Sequence, residues 1–184
     1  MDNSSDSDGQ SARDVLGFPT FRRIVTGHDR DGKSICISDT GVPAGPGWMH
    51  DLWQTAVPAS NAAASPSMGF PLRLAPPSSG LTFRIMKVPP RSVLDSLTKE
   101  DIAKILREIG ANDAGVPSEH MLMHRTRTLD LLVVLSGRVT LHLENGDLNL
   151  KPLDCVVQRG TAHAWSTPDE TAASVAVILV DAPT

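Results

Sequence analysis

The segments 120–137, HMLMHRTRTLDLLVVLSG, and 155–165, CVVQRGTAHAW, decide the fold and contain the residues of most chemical interest. In both, short apolar runs alternate with glycine turns, which is typical of the strands of an antiparallel barrel or jelly roll. Spread over neighbouring strands, metal-type ligands could meet at one point inside such a barrel, so a small metal site is the leading hypothesis. The candidate ligands are His120, His124, Asp130 and His163.

Two imidazoles and one carboxylate form the predicted ligand set. Residues 124 and 130 have the same parity, so in an unbroken strand their side chains face one side, while His163 belongs to a different strand. Such a facial set suits Fe(II), Mn(II), Zn(II) or Ni(II), with positions left for water or substrate. Without thiolate ligands it does not favour a structural zinc site. A hydrogen-bonded structural cluster of the same residues is the alternative.

His120 is a candidate catalytic residue, either as a substitute ligand or as a proton shuttle. It precedes His124 by four residues, which places it on the same strand face but about 13 Å away at full extension. It could therefore join the site only if the chain bends between residues 118 and 124. A surface position is the alternative.

Composition excludes several classes of function. The 184 residues are 40% hydrophobic and carry a net charge of −4 with no basic block, so we expect neither a nucleic-acid nor a membrane partner. No apolar run approaches the ~20 residues of a membrane span, and the N-terminus lacks the pattern of a secretory signal. The expected location is cytoplasmic. Cys36 and Cys155 lie in strand-like apolar runs and are expected to be buried thiols, with a disulfide or a reactive thiol as alternatives.

The chain is expected to form one domain behind a polar tail. Residues 1–15 are predicted to be disordered and residues 16–184 to fold. Within the domain we expect N-terminal strands and loops over residues 16–92, a helix over about residues 98–109, and the core motifs over residues 118–181. The helix is predicted from its spaced apolar residues, from the Thr98 N-cap with Asp101, and from Gly110 after its end.

Two hairpins and one long loop are predicted. The first hairpin is predicted from the alternating residues 21–26 and 34–38. The second is predicted at Asn145-Gly146, a pair typical of a type I′ turn. Residues 58–69 read as a mobile loop. His142 lies mid-strand between two leucines and is expected on the exposed outer face.

The C-terminal part resembles a cupin, a small jelly-roll barrel that usually carries a metal. The first cupin motif runs Gly, five residues, His-x-His, three or four residues, Glu, six residues, Gly, and His124, Thr126, Asp130 and Gly137 overlay it. The second motif runs Gly-x-x-His-x-x-x-Asn. The residues that align with it are Gly160, His163 and Thr167. Thr126, Asp130 and Thr167 replace the second His, the Glu and the Asn of the family pattern.

The resemblance implies an all-β fold: a single cupin jelly-roll barrel with extra N-terminal strands and one short packed helix. It also implies a divalent metal at His124, Asp130 and His163. The expected pocket residues are Thr126, Gln158, Trp165, Arg84 and Met86. Among these, Arg84 would clamp a substrate carboxylate if it points inward, and an exposed strand arginine is the alternative.

The predicted function is a metal-dependent enzyme that acts on a small oxygenated or carboxylated metabolite. A lyase or decarboxylase is favoured over a dioxygenase, because a redox-inert metal can polarise an oxyanion. One alternative is a non-catalytic barrel that binds a small ligand at a degenerate metal site, and another is an isomerase that uses His163 as a base without metal. Since exposed N-terminal strand edges need a cover, a homodimer is expected.

Overall fold

The structure of the chain is a computed structural model that describes residues 20–45, 48–56, 72–111, 114–120 and 122–182. The predicted disordered tail and the predicted mobile loop lie outside these residues. Within them, no helix is long and apolar enough to cross a membrane.

Ten strands and two helices make up the described part of the chain. The strands are β1 Phe21–His28, β2 Ser34–Val42, β3 Met49–Ala56, β4 Gly80–Val88, β5 Thr128–Ser136, β6 Val139–Leu143, β7 Gly146–Leu150, β8 Cys155–Arg159, β9 His163–Ser166 and β10 Ala173–Asp181. The helices are α1 Arg91–Asp95 and α2 Lys99–Glu108.

The strands form three antiparallel sheets, and two of them enclose the core. The larger sheet has five strands in the order β3-β4-β10-β5-β8, and a three-stranded sheet has the order β7-β6-β9. Apolar side chains from both sheets pack into one cluster, so the two sheets face each other across a shared interior. The buried members of this cluster are Val88, Leu132, Val134, Val139, Ala173, Val175, Val177 and Leu179. The predicted all-β barrel is confirmed.

The N-terminal hairpin forms as predicted and lies beside the barrel. Strand β1 pairs with β2 over its whole length, from Phe21 opposite Val42 to His28 opposite Ser34. His50 of β3 is fully buried beneath this hairpin, where the ring of Phe21 contacts its ring edge-on at 4.7 Å. The hairpin therefore covers part of the outer face of the five-stranded sheet.

Helix α2 has the predicted ends and covers one end of the barrel. Thr98 and Asp101 form a capping box, and Gly110 follows with a φ of 66°. The helix packs through Ile105 and Leu106 on a cluster that includes Met49 and Met86 of the five-stranded sheet. Because Met86 also contacts the central core, the helix cluster and the barrel interior are continuous. The one-turn helix α1 before it is an addition that the sequence pattern does not predict.

Two local predictions are wrong. The β6–β7 turn lies over Glu144 and Asn145, with Leu143 opposite Gly146, and only Gly146 has a positive φ, at 118°. The turn is therefore not type I′, because that type needs positive φ at both central residues.

Cys36 and Cys155 are exposed free thiols. Apolar neighbours suggest burial for each, but Cys36 belongs to the solvent-facing β2 and Cys155 to the outward face of β8.

The turn at Gly137 gives a test of the barrel's packing. Gly137 and Gly32 both have a left-handed φ, of 74° and 77°, so Ala strains the backbone at either position. A Cβ at Gly137 would also lie 2.9 Å from the Cβ of Ala173, whereas one at Gly32 meets nothing within 4 Å. We expect Gly137→Ala to lower the free energy of unfolding by about 1–3 kcal/mol more than Gly32→Ala, measured by urea denaturation. Equal losses in the two variants would contradict this packing.

Candidate functional site

Two histidines meet on the inner face of the three-stranded sheet. His124 and His163 pair through mutual backbone hydrogen bonds, with N–H···O distances of 3.0 Å from His124 and 2.9 Å from His163. Directly opposed residues of paired strands point to the same side, and the two ring centroids lie 4.4 Å apart. Trp165 follows on the same face, with its ring 5.7 Å from that of His163 and packed on the central core.

Backbone carbonyls orient both rings. The Nδ1 of His124 is 2.8 Å from the carbonyl oxygen of Leu122, and that of His163 is 2.9 Å from the carbonyl oxygen of Thr161. A carbonyl only accepts, so each Nδ1 carries the proton and each Nε2 keeps a lone pair. In the described part of the chain, neither Nε2 has a hydrogen-bond partner. A backbone carbonyl that fixes the tautomer is the usual support of a metal-ligating histidine.

Both imidazoles are neutral at physiological pH. Burial lowers the pKa of His163 to about 4, assisted by the neighbouring His124 and opposed by the bond to Thr161. Burial also lowers the pKa of His124. Neutral rings with free lone pairs can ligate a metal or accept a proton.

A buried row of four polar residues and one leucine crosses the inner face of the opposite, five-stranded sheet. Each strand contributes one inward side chain at the same register, and all five residues are at most 6% exposed. From β3 to β8 the row is Gln54, Thr82, Leu179, Asp130 and Gln158. Within the described residues, Thr82 Oγ1 and Asp130 Oδ1 are buried without a hydrogen-bond partner. Because buried polar atoms are normally satisfied, these two are candidate contacts for a ligand.

Asp130 is the row's titratable group. Burial raises the pKa of Asp130 from 3.8 to about 6, although a hydrogen bond with Thr128 and the charge of Arg84 lower it. The hydroxyl of Thr128 in turn lies 2.7 Å from that of Thr126. A carboxyl that ionises near neutral pH can hold or transfer a proton.

Arg84 and Gln158 point inward and are bonded to the protein itself. The guanidinium of Arg84 lies 2.8 Å from a carboxylate oxygen of Asp51 and donates to the carbonyl oxygen of Arg73 at 2.6 Å. Gln158 donates to the backbone and side-chain oxygens of Thr161. Arg84 therefore holds the 72–74 segment in place and is not free to clamp a carboxylate, while Gln158 supports the turn whose carbonyl orients His163.

A mostly apolar pocket opens between the barrel and helix α2. Its cavity volume is about 80 Å³. Its wall contains three of the predicted site residues, His124, Trp165 and Met86, together with Lys87. The other lining residues are Trp48, Met49, Leu74, Val88, Pro89, Leu94, Ile105, Leu106, Ile109 and Leu122.

His120 lies on the other side of the three-stranded sheet. Its ring stacks on that of His142 at 4.1 Å, and its Nε2 lies 3.8 Å from Asp147 Oδ1. His142 alternates with the inward Leu141, so it faces outward as predicted, but it is only 5% exposed. The prediction of an exposed His142 is therefore wrong, because the segment that carries His120 covers it.

The structure brings together a different trio from the predicted one. Among the described histidines, cysteines and carboxylates, the group of three whose ligand atoms all lie within 4.8 Å of one another is His120, His142 and Asp147. His124, Asp130 and His163 do not form such a group. At the inner site the two imidazoles fit a metal as ligands, and the carboxyl of Asp130 lies apart from them.

The motif segments now have positions in the fold. Gly137 closes the turn after β5, and Gly160 with a φ of 62° leads into β9, so both motifs supply inward residues to one antiparallel barrel. Thr126 stands where the cupin pattern has its second histidine, and its hydroxyl is bonded to that of Thr128.

Comparisons with known proteins give short or loose matches. No family model matches the chain. Phomopsin biosynthesis cluster protein D of Diaporthe leptostromiformis is 46% identical over 57 residues, 30% of this chain and 30% of that protein. Oryzines biosynthesis cluster protein J of Aspergillus oryzae is 43% identical over 56 residues, 30% of this chain and 31% of that protein. The match to this chain thus spans less than a third of each relative.

Solved structures with a similar arrangement include two cupins. A cupin 2 conserved barrel domain protein from Salinispora arenicola aligns with a TM-score of 0.36 and 17% identity over 63% of this chain and 72% of that one. A cupin-2 domain containing protein from Shewanella frigidimarina aligns with a TM-score of 0.33 and 12% identity over 59% and 82%. Overlaps this loose carry no argument about activity.

The raised pKa of Asp130 predicts a pH-dependent stability. The carboxyl of Asp130 loses its proton at lower pH in the unfolded chain than in the folded chain. Its contribution to the free energy of unfolding is therefore greatest below about pH 4 and is lost as pH rises through about 6. The Asp130→Asn variant has no carboxyl to ionise, so it does not lose this stability as pH rises. Its free energy of unfolding relative to that of the native protein should therefore rise by on the order of 3 kcal/mol between about pH 4 and pH 7. Urea unfolding across that range measures the difference.

The matched control for this measurement is Asp31→Asn, in the exposed β1–β2 turn. The gain in relative stability with pH should be larger for Asp130→Asn than for this control. Equal pH dependence in the two variants would show that the carboxyl of Asp130 is not held protonated by burial.

Proposed function

We propose that this cupin is a metal-dependent enzyme that acts on a small oxygenated or carboxylated metabolite in the pocket beside helix α2. The observation that carries the proposal is the pair of neutral imidazoles, His124 and His163, each with its Nδ1 tied to a carbonyl and its Nε2 free. They stand on one face of the barrel interior, and His124 lines the pocket.

His124 and His163 would hold the metal, with remaining positions open to water and substrate. A bound divalent ion would act as a Lewis acid on a carbonyl or carboxylate oxygen and stabilise negative charge that develops there. An N-donor pair is compatible with Fe, Mn, Zn or Ni. Because such polarisation needs no redox change, a lyase or decarboxylase is favoured, and a dioxygenase is the second reaction type.

Other residues of the chain would bind the substrate and transfer a proton to or from it. Trp165 and Met86 form an apolar wall, which suits the carbon skeleton of a metabolite and excludes water. Lys87 also lines the pocket, but its Nζ donates to the hydroxyl of Ser174 at 2.9 Å. Asp130, with a pKa of about 6, is the candidate proton donor or acceptor. The relatives named for phomopsin and oryzines biosynthesis clusters also favour a small metabolite.

A non-catalytic barrel that binds a small ligand is the second candidate. Two observations favour it: the hydroxyl of Thr126 is occupied by Thr128, and Asp130 does not converge on the two imidazoles. In that case the apolar pocket would bind its ligand without metal.

Metal content and turnover test the proposal together. The full chain is stripped with chelator, reloaded with Fe, Mn, Ni or Zn, and assayed for bound metal and for reaction of small 2-oxo and 2-hydroxy carboxylates by NMR. We expect bound metal that disappears in His124→Ala and in His163→Ala, and turnover that falls at least about a hundredfold in both. The reason is that each variant removes one of the two imidazole Nε2 atoms that would bind the metal.

His28→Ala is the matched control, because it makes the same chemical change at an exposed position at the end of β1. It should retain metal and turnover. A protein in which no bound metal depends on His163 contradicts the proposal, and metal-independent ligand binding without turnover supports the second candidate.

A homodimer is proposed as the assembly of this cupin. The outer face of the five-stranded sheet carries an exposed apolar row, one residue from each of four adjacent strands. The row is Phe83, Ile178, Leu131 and Val157, which are 37%, 38%, 44% and 61% exposed. Contiguous exposed apolar side chains are typical of a protein interface, and a second copy of the chain is the simplest partner.

Light scattering after size exclusion tests the dimer. Val157→Asp places a charge in the row, so we expect it to shift the protein from dimer to monomer. Leu153→Asp is the matched control, because Leu153 is 81% exposed and lies in the turn before β8, outside the row. A native protein that is monomeric, or a Val157→Asp variant that remains dimeric, would contradict this interface.

A further inference from the structure

A second cluster of ligand-type side chains lies on the outer face of the three-stranded sheet. His142 of β6 opposes Asp147 of β7, and the Nδ1 of His142 lies 2.9 Å from Asp147 Oδ1. The ring of His120, from the segment before β5, stacks on His142. His142 alternates with Leu141, whose partner Trp165 packs on the inner core, so the cluster and the inner imidazole pair face opposite sides of one sheet.

The segment that carries His120 is folded onto the sheet around this cluster. Val116 donates to the carbonyl oxygen of Met123 at 2.9 Å, and both side chains pack with Ala162 and Ala164 of the outer face. His120 thus lies over His142 with a side chain that is only 17% exposed. Its Nδ1 is buried without a hydrogen-bond partner among the described residues.

The spacing of the donor atoms suits a metal ion. Asp147 Oδ1 lies 2.9 Å from His142 Nδ1 and 3.8 Å from His120 Nε2. Ligands bound tetrahedrally to one zinc ion at 2.0–2.2 Å are about 3.4 Å apart. Because the two rings stack with an interplanar angle of 20°, the His120 ring would rotate out of the stack to aim its lone pair at the same ion. Glu119 Oε1, 3.9 Å from the same His120 nitrogen, is in reach as a further ligand.

Ser166 supplies the support that such a ligand needs. Its hydroxyl lies 2.7 Å from His142 Nε2. When Nε2–H donates to this oxygen, Nδ1 keeps the lone pair that faces Asp147. The hydroxyl can also donate, so Ser166 serves His142 with or without a bound ion.

We propose that His120, His142 and Asp147 form a second metal site that takes Zn²⁺ or a similar first-row divalent cation. Two imidazoles and a carboxylate match the ligand preference of these ions. The bound ion fixes residues 114–120 on the outer face of the barrel. Leu122 and His124 follow directly, so an ion on His120 also steadies the carbonyl that orients His124. The presence of this second site does not rest on the proposed enzyme reaction.

Zinc binding and hydrogen exchange test the site on the full chain. Zinc chloride is titrated by calorimetry into chelator-stripped native protein and into Asp147→Asn, which keeps the size of a side chain that is 44% exposed. We expect Asp147→Asn to weaken one class of zinc site at least tenfold and Ser166→Ala to weaken it by about tenfold. Zinc should slow amide exchange over residues 114–124 in the native protein and not in Asp147→Asn.

Glu144→Gln is the matched control, because it removes one carboxylate from the same hairpin outside the cluster, where its ion pair with Arg125 is exposed. It should bind zinc as the native protein does. His163→Ala separates the two sites: it should keep the zinc that depends on Asp147. The inference is overturned if Asp147→Asn binds zinc with native stoichiometry and affinity, or if exchange over residues 114–124 does not respond to zinc. Loss of His163-dependent metal alone would count only against the enzyme.

Discussion

The pairing of His124 with His163 is the interaction on which both candidate sites depend. Two mutual backbone hydrogen bonds join the segment before β5 to the edge strand of the three-stranded sheet. Because opposed residues share a face, this register turns both imidazoles inward, and it turns Met123 outward onto Ala162 and Ala164. A slip of one residue would exchange the two faces. The same bonds therefore place His124 at the pocket and bring His120 over the outer face.

Strand alternation gives the two sheets different surfaces on each side. Inside the five-stranded sheet, apolar core residues end at a buried row that includes Thr82 and Asp130. Burial raises the pKa of Asp130 to about 6 against the opposing effects of Thr128 and Arg84. Outside it, a parallel row from Phe83 to Val157 remains apolar and exposed. The interior thus combines apolar walls with a buried carboxyl of raised pKa, while the outer face keeps an exposed apolar row.

Much of the fold followed from local patterns. The capping box at Thr98 and Asp101, the β1–β2 hairpin and the two glycine turns at Gly137 and Gly160 are short-range features, and each was confirmed. The His142–Asp147 pair was missed for a specific reason. A turn centred on Asn145-Gly146 would pair His142 with Asn149, whereas the observed turn over Glu144-Asn145 pairs it with Asp147. One misplaced turn therefore hid the second cluster.

The sequence by itself determined an antiparallel barrel and the shared parity of residues 124 and 130, because side-chain alternation and turn chemistry are local properties of the chain. It also indicated that Arg84 and Gln158 could point inward. Only the tertiary structure decided what these side chains contact. Arg84 is bonded to Asp51, and His120 lies on the opposite side of the sheet from His124. Distances between strands depend on how the 114–123 segment folds back, and no spacing along the chain encodes that.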